Sequence, residues 1–322
     1  MFNAIRAAIS QANAVRLPTL DASLGGRVQG SEGGPTSTSV SQADTWAVIR
    51  DRVRQERANG RQVMVVVSAV AGVTDLLGRL AEAPPLEVAE ELLADLDRIH
   101  EALAESLGVE PGEAFLAARQ ELGALLDDPA ASGLVGDGWR ARLQSYGERL
   151  SSALGQQVLA QGGEAVVLDS ALNLLTVDPE ASAGPLAAYC TEDPDPALAR
   201  RLAEAGPIHI TQGFMARGLD GEPWLLGRGG SDTTAALLAA RLGATELQIW
   251  TDVPGVFSAD PNVVPGARLL RRLSYSEAQE FAVAFACHCD APLFERRGRA
   301  MQLKYARRWR DVDAVADAVR KG

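Results

Sequence analysis

Lysine is almost missing from this chain. The two that occur, Lys304 and Lys321, both stand near the C-terminal end. Positive charge therefore rests on arginine, and it is outweighed: the formal net charge is −11 and the pI about 4.9. Such a balance disfavours a nucleic-acid partner, whose phosphates attract an excess of cations. Cysteine is equally scarce. Cys190, Cys287 and Cys289 make no disulfide framework and point to a reducing, cytoplasmic setting. Cys287 and Cys289, with His288 and Asp290 interleaved, lack zinc-site spacing and a second ligand pair, so no metal site is expected there. The longest apolar run, around Val63 to Val70, is far too short to span a bilayer. The opening "MFNAIRAAISQANAVRL" lacks the continuous apolar core of a signal peptide. Neither a P-loop nor a GxGxxG fingerprint occurs, which argues against the common nucleotide-binding folds. No internal repeat is visible.

What is present is an alternation of helix and strand patterns over 322 residues, enough for one large domain or two lobes. Residues 1–45 read as irregular, and "GGRVQGSEGGPTSTSVS" has the composition of a linker. Ala43 to Asn59 reads as an amphipathic helix stopped by Gly60. "RQVMVVVSAV" is a β-branched run suited to a strand buried on both faces, and it leaves through a turn of small residues and hydroxyls. After Pro84-Pro85, Leu86 to about Leu126 reads as one helical stretch. "DDPAASGLVGDG" breaks it, and Trp139 to Gly162 resumes as helix. "EAVVLD", "GPIHITQGF" and "ELQIWTDVPGVF" read as further strands. The pattern predicts an α/β fold: a three-layer α/β/α sandwich around an open, mainly parallel sheet. Ligands in such sheets sit at the carboxyl ends of the strands.

The stretch "LLGRGGSDTTAALLAARLGA", Leu225 to Ala244, places glycines, an arginine, a serine and an aspartate directly before a strong helix former. A glycine loop feeding a helix N-terminus presents unpaired backbone N–H groups, and their natural partner is an anion. Four strand ends carry glycine or small polar residues in this way: Ser68 with Thr74, Gly213 with Phe214, the Gly227–Asp232 loop, and Thr251-Asp252. Each has a plain structural alternative. Ser68 and Thr74 could be helix caps, Glu148 a solvated charge on a helix, and Thr251-Asp252 an Asx-type turn. His100 and His209 read as scaffold residues.

Five blocks in order, "VVVSAVAGVTDLL", "YGERLSSALGQQVLAQG", "ITQGF", "LLGRGGSDTTAALLAARLGA" and "QIWTDVPGVFSADPNVVPGARLL", closely resemble aspartate kinases of the amino-acid-kinase family. The resemblance runs from about Val63 to Ala282. It implies transfer of the ATP γ-phosphoryl group to the β-carboxylate of L-aspartate, the first step toward lysine, threonine and methionine, with Mg²⁺ accompanying ATP. It further implies that Arg228 and Glu148 clamp the α-carboxylate and α-amino group, with Ser68, Thr74, Phe214 and Ser231 lining the same pocket. Asp232 takes the place of the family's catalytic aspartate, with Arg228 beside it. Gly229 and Gly230, lacking Cβ atoms, suit close approach to phosphate oxygens. Gly33, Gly34, Thr251, Asp252 and Phe257 fall where the family binds nucleotide. The domain division that follows is an N-terminal tail at 1–25 and a catalytic domain at 26–322, with a substrate lobe at 26–205 and a nucleotide lobe at 206–322. The resemblance is compatible with a homo-oligomer and with a place in a longer bifunctional chain, since the kinase is in some members fused to another biosynthetic enzyme.

Two departures concern lysine. Where the family has a strand ending Lys-Phe-Gly-Gly-Thr-Ser-Val, this chain has "SEGGPTSTSV", with Ser31 and Glu32 in place of Lys-Phe. Where the family continues Phe-Gly-Ala-Lys-Val-Leu-His-Pro, this chain reads "VAFACHCDAPLFERRG" and has no lysine until Lys304. Asn262 also stands where an arginine is common. Three readings follow: an aspartate kinase of reduced activity, an inactive relative that still binds aspartate or nucleotide, and a kinase for another small acid or carbamate. The Glu148, Arg228 and Ser231 set favours an α-amino acid over the third.

Overall fold

The computed structural model describes residues 12–17, 40, 43–127, 136–227, 229–249, 266, 268, 294–297 and 300–303. Its centre is the valine run: β2 (Gln62–Val67) has every residue after Gln62 buried, as a β-branched strand covered on both faces requires. β2 lies parallel to β4 (Ile208–Gln212), with Val65 opposite Ile210, and β4 lies parallel to the edge strand β3 (Val166–Asp169). On the other side of β2 come β1 (Ala12–Leu17) and then β7 (Glu246–Ile249), giving the order β3-β4-β2-β1-β7. β1 runs antiparallel to both neighbours, so the other four strands point the same way. The sheet is open and mainly parallel.

Helices cover both faces. α1 (Ala43–Ala58), α2 (Val73–Leu80), α3 (Leu86–Leu107), α4 (Glu113–Asp127) and α5 (Asp137–Ala160) pack with Val63, Val65 and Val67 on one side. α6 (Pro196–Ala205) and α7 (Gly230–Arg241) pack with Met64 and Val66 on the other. The alternation of β2 side chains between two separate cores is the period of a strand inside a three-layer sandwich. Two hairpins and a short 3-10 helix (Ala171–Asn173) complete the described elements: β5 (Met215–Arg217) pairs with β6 (Pro223–Leu225), and β8 (Phe294–Arg297) with β9 (Ala300–Leu303). Among the described residues, no helix is long and apolar enough to cross a membrane.

Two expectations are corrected. The irregular N-terminal reading fails at Ala12–Leu17, which pairs along its length with β2 and, over Asn13 to Arg16, with β7. Two open strand edges impose extension on a segment with little β preference of its own. The single helix expected from Leu86 to Leu126 is two. α3 stops at Gly108, whose left-handed φ of 62° lets its N–H reach Ala104 O and Glu105 O, and Pro111 blocks continuation into α4.

α5 positions the site. Gly147, Ser151 and Gly155 recur every four residues and form one flat face. A Cβ on Gly147 would stand 2.8 Å from Ala69 Cβ, and one on Gly155 would collide with the Trp46 ring and come 2.7 Å from Ile210 Cδ1. The small residues let α5 lie directly on the sheet, against the chain leaving β2.

Candidate active site at the carboxyl ends of β2 and β4

Ser68 and Ala69 follow β2 directly, and α5 holds them from one side. Ser151 Oγ donates to Ser68 O at 2.7 Å, and Ala69 N donates to Glu148 Oε1 at 3.2 Å. Ser68 and Glu148 are each 3% exposed. The alternative of Glu148 as a solvated charge is thereby excluded: four-residue packing of α5 on the sheet turns this carboxylate inward. Its second oxygen, Oε2, is buried and has no hydrogen-bond partner among the described residues. Burial pushes its pKa from an ordinary 4.5 up to about 8, against the pull of the Ala69 N–H. The helix-cap alternative for Ser68 and Thr74 is also excluded, because the N-cap of α2 is Gly72, with φ 85°. Thr74 lies in the first turn of α2, where its carbonyl accepts from Gln144 Nε2 of α5 at 3.4 Å.

From the other side, Gly213 N donates to Val67 O at 2.7 Å, carrying the β2–β4 ladder to the site's edge. Phe214 has a φ of 71°, rare for a side chain of its size, and its N–H donates to Thr234 Oγ1 at 3.0 Å. Thr234 Oγ1 in turn donates to Gly230 O at 2.8 Å. The N-terminus of α7 is thus fastened onto the turn after β4. The fit is close: a Cβ on Gly213 would stand 2.6 Å from Ser231 Oγ, and one on Gly230 2.6 Å from Phe214 Cδ2. Glycine at both places is a packing requirement.

Gly229 is the N-cap of α7, left-handed at φ 73°, and supplies no side-chain cap to the first-turn N–H groups. That leaves the positive end of α7 directed beside Phe214 and Ser231, with Asp232 in its first turn. The structure therefore gathers Ser68, Glu148, Phe214, Gly229, Gly230, Ser231 and Asp232 around one strand-end region, with Thr74 on the adjoining α2. Gly33, Gly34, Arg228, Thr251, Asp252 and Phe257 lie outside the described residues, as do Cys287 and Cys289.

One residue escaped the sequence reading. Gln212, 6% exposed at the end of β4, accepts from Ala171 N through Oε1 at 2.9 Å and donates through Nε2 to Ser152 Oγ at 2.9 Å. It locks β4 to α5 and to the chain after β3. Its signal was a long polar side chain closing a buried strand, immediately before the glycine of the turn.

An open mainly parallel sheet, glycine-built strand ends and a helix N-terminus without a side-chain cap beside a dry carboxylate form one strand-end site, the place where ligands sit in open α/β sheets. The comparisons fix the class: the amino acid kinase family model matches residues 24–286, and the chain belongs to that family. Within it, the chain is similar to aspartokinases. It is 37% identical over 253 residues to lysine-sensitive aspartokinase 3 of Escherichia coli (strain K12), covering 76% of this chain and 54% of the relative. It is 38% identical over 159 residues to a bifunctional aspartokinase/homoserine dehydrogenase of Haemophilus influenzae, covering 49% of this chain and 19% of the relative. Among solved structures, E. coli aspartokinase III in complex with aspartate and ADP superposes with a TM-score of 0.65 at 31% identity, over 76% of this chain and 54% of that one. The chain spans about half the length of such curated aspartokinases.

Proposed function

We propose that this chain transfers the γ-phosphoryl group of ATP to the β-carboxylate of L-aspartate, giving 4-phospho-aspartate and ADP. The observation that carries the reading is Glu148, a dry carboxylate with one oxygen unfilled, placed beside Ser68 at the end of β2. An ammonium group satisfies that oxygen and restores the charged form, so Glu148 is assigned the substrate α-amino group. Arg228 is assigned the α-carboxylate, to which its two-pronged donor geometry is suited. Ser68, Thr74, Phe214 and Ser231 form the wall. The Gly229 backbone and the positive end of α7 hold phosphate oxygens. Gly230 is assigned a packing part there, because its N–H donates to Gly227 O at 3.0 Å and its missing Cβ makes room for Phe214. Asp232 with Arg228 organises the transfer centre. Gly33, Gly34, Thr251, Asp252 and Phe257 are assigned to the nucleotide. Mg²⁺, when bound with ATP, neutralises phosphate charge during transfer. A carboxylate oxygen forms the new bond to the γ-phosphorus as the bond to the ADP oxygen breaks.

The same reading takes residues 26–205 as the substrate lobe, 206–322 as the nucleotide lobe and a cytoplasmic setting. It leaves room for homo-oligomers and for fusion to a second enzyme. Release of ADP in the presence of aspartate, ATP and Mg²⁺, absent without aspartate, tests it.

A second reading, a relative that binds aspartate without turning it over, is favoured by one observation: the chain has no lysine before Lys304. Loss of one preorganised donor from a transfer site costs on the order of 100- to 1,000-fold in rate. Aspartate binding without ADP release selects this reading.

A further inference from the structure

Phe214 sits in the site in a conformation that has to be held. Its φ of 71° coincides with a hydrogen bond from Met215 N to Gly213 O at 2.9 Å, which spans Phe214 alone. A positive φ inside such a bond marks the rare, strained form of the γ-turn. On a residue with a Cβ the turn persists only where its surroundings over-determine it.

Both backbone groups of Phe214 are engaged in that task. Its carbonyl accepts from Leu226 N at 2.8 Å, and its N–H donates to Thr234 Oγ1 at 3.0 Å. Leu226 stands just before the glycine stretch at 227–230, and Thr234 lies one turn beyond it. One strained residue thus fastens that stretch from both ends.

The two ties differ in kind. Leu226 contributes a backbone N–H, which any residue except proline supplies. Thr234 contributes a side-chain oxygen. That oxygen accepts from Phe214 and sends its own proton to Gly230 O at 2.8 Å, one turn back in α7. A single atom therefore joins the acceptor wall to the helix end assigned to phosphate. Thr234 is 0% exposed, so it touches neither ligand itself. Glu148, assigned the α-amino group, stands on α5 and is held by Ala69 N without help from this oxygen. The Thr234 hydroxyl sets where phosphate stands relative to the acceptor carboxylate, and it leaves the anchoring of aspartate to α5.

We propose that Thr234 is a positioning residue for phosphoryl transfer, whose hydroxyl keeps the Phe214 turn and the N-terminus of α7 in register. The effect on turnover rests on the function proposed above; the anchoring of the turn does not.

Thr234→Ser and Thr234→Ala both lose the methyl group, and only alanine loses the hydroxyl, so the pair isolates it. Calorimetric titration with aspartate gives the number of binding-competent sites and the dissociation constant of each protein. ADP release at saturating aspartate, ATP and Mg²⁺ is then expressed per such site. Thr234→Ala should keep the aspartate dissociation constant within about threefold and lose about tenfold or more in kcat per site, since misalignment is felt in transfer. Thr234→Ser should recover most of that loss. Unchanged kcat per site in Thr234→Ala, or a serine variant as slow as the alanine, overturns the positioning role. So does a loss of activity that only follows the number of binding sites. Amide hydrogen exchange at Phe214 reads the anchoring without turnover. It should be slow in wild type and Thr234→Ser, and faster by about tenfold or more in Thr234→Ala. Equal protection in all three overturns the anchoring. A wild-type chain that binds aspartate and releases no ADP overturns the proposed function and the role in turnover with it, while exchange at Phe214 still decides the anchoring.

Discussion

Glu148 and His209 are both ionisable and both buried, 3% and 0% exposed, yet the fold treats them in opposite ways. Near the start of β4, His209 has every polar atom engaged. Its Nδ1 lies 2.6 Å from Asp169 Oδ2, and Nε2 faces Leu202 O at 2.9 Å and Gly206 O at 3.0 Å. Acceptors face both ring nitrogens, an arrangement that favours the doubly protonated ring. Burial alone would lower its pKa. The hydrogen bond and charge of Asp169, with the two carbonyls, outweigh that and raise it. Glu148, near the end of β2, has one oxygen engaged and one empty, and burial raises its pKa with little to oppose it. A filled buried charge fastens structure. A half-filled one is ready for a ligand.

The largest expected effect breaks the filled side of this comparison. Asp169→Asn leaves a buried cation without its counter-charge and should cost about 3 kcal/mol in urea unfolding. Because the folded pKa of His209 is raised, its stabilisation is fully present below the ordinary 6.5 and is lost as pH rises through the folded value. Wild-type stability should therefore decline over that window, and the decline should shrink in Asp169→Asn. An unchanged slope would show that the ring is not charged in the native state.

A middle-sized effect tests how tightly the half-filled side is built. In Gly213→Ala the new methyl meets Ser231 Cα at 2.7 Å, backbone that cannot swing away. The expected destabilisation is about 1–3 kcal/mol, with weaker aspartate binding in calorimetry as α7 is displaced. Wild-type affinity in that variant would detach Ser231 from the site. The smallest effect is Ser151→Ala, which removes one buried donor to Ser68 O. It should cost about 1 kcal/mol, read as a small drop in melting temperature with aspartate binding largely kept.

Legibility in the sequence followed how local each determinant is. The valine run of β2 and the Gly229–Gly230 entry to α7 were readable because composition alone dictates them. The convergence of Ser68, Phe214 and Ser231 followed from the rule that parallel strands present their carboxyl ends together. Glu148 was readable only through family resemblance, since a glutamate inside a helix carries no local sign of burial. The sign that did exist was the four-residue spacing of Gly147, Ser151 and Gly155. β1 was missed because its extension comes from neighbours remote in sequence. The α3–α4 break was missed although Gly108 and Pro111 marked it, because leucine and alanine periodicity continues on both sides. The β5–β6 hairpin carried an Asp220-Gly221 turn signal within a stretch read only as the approach to the glycine loop.

The account stands most directly on Glu148→Gln, measured for aspartate affinity and unfolding free energy across pH. With a folded pKa raised from 4.5 to about 8, the stability linked to Glu148 is present in full below 4.5 and lost as pH climbs through about 8. At about 1.4 kcal/mol per unit, such a shift amounts to a few kcal/mol. Wild-type aspartate affinity should rise over the same window, as the carboxylate ionises to meet the ammonium. The glutamine variant should bind aspartate at least about tenfold more weakly, lose that pH dependence, and be no less stable than wild type in alkaline solution. A variant that binds aspartate as tightly as wild type while unfolding more easily would contradict the account, because Glu148 would then be scaffold like His209.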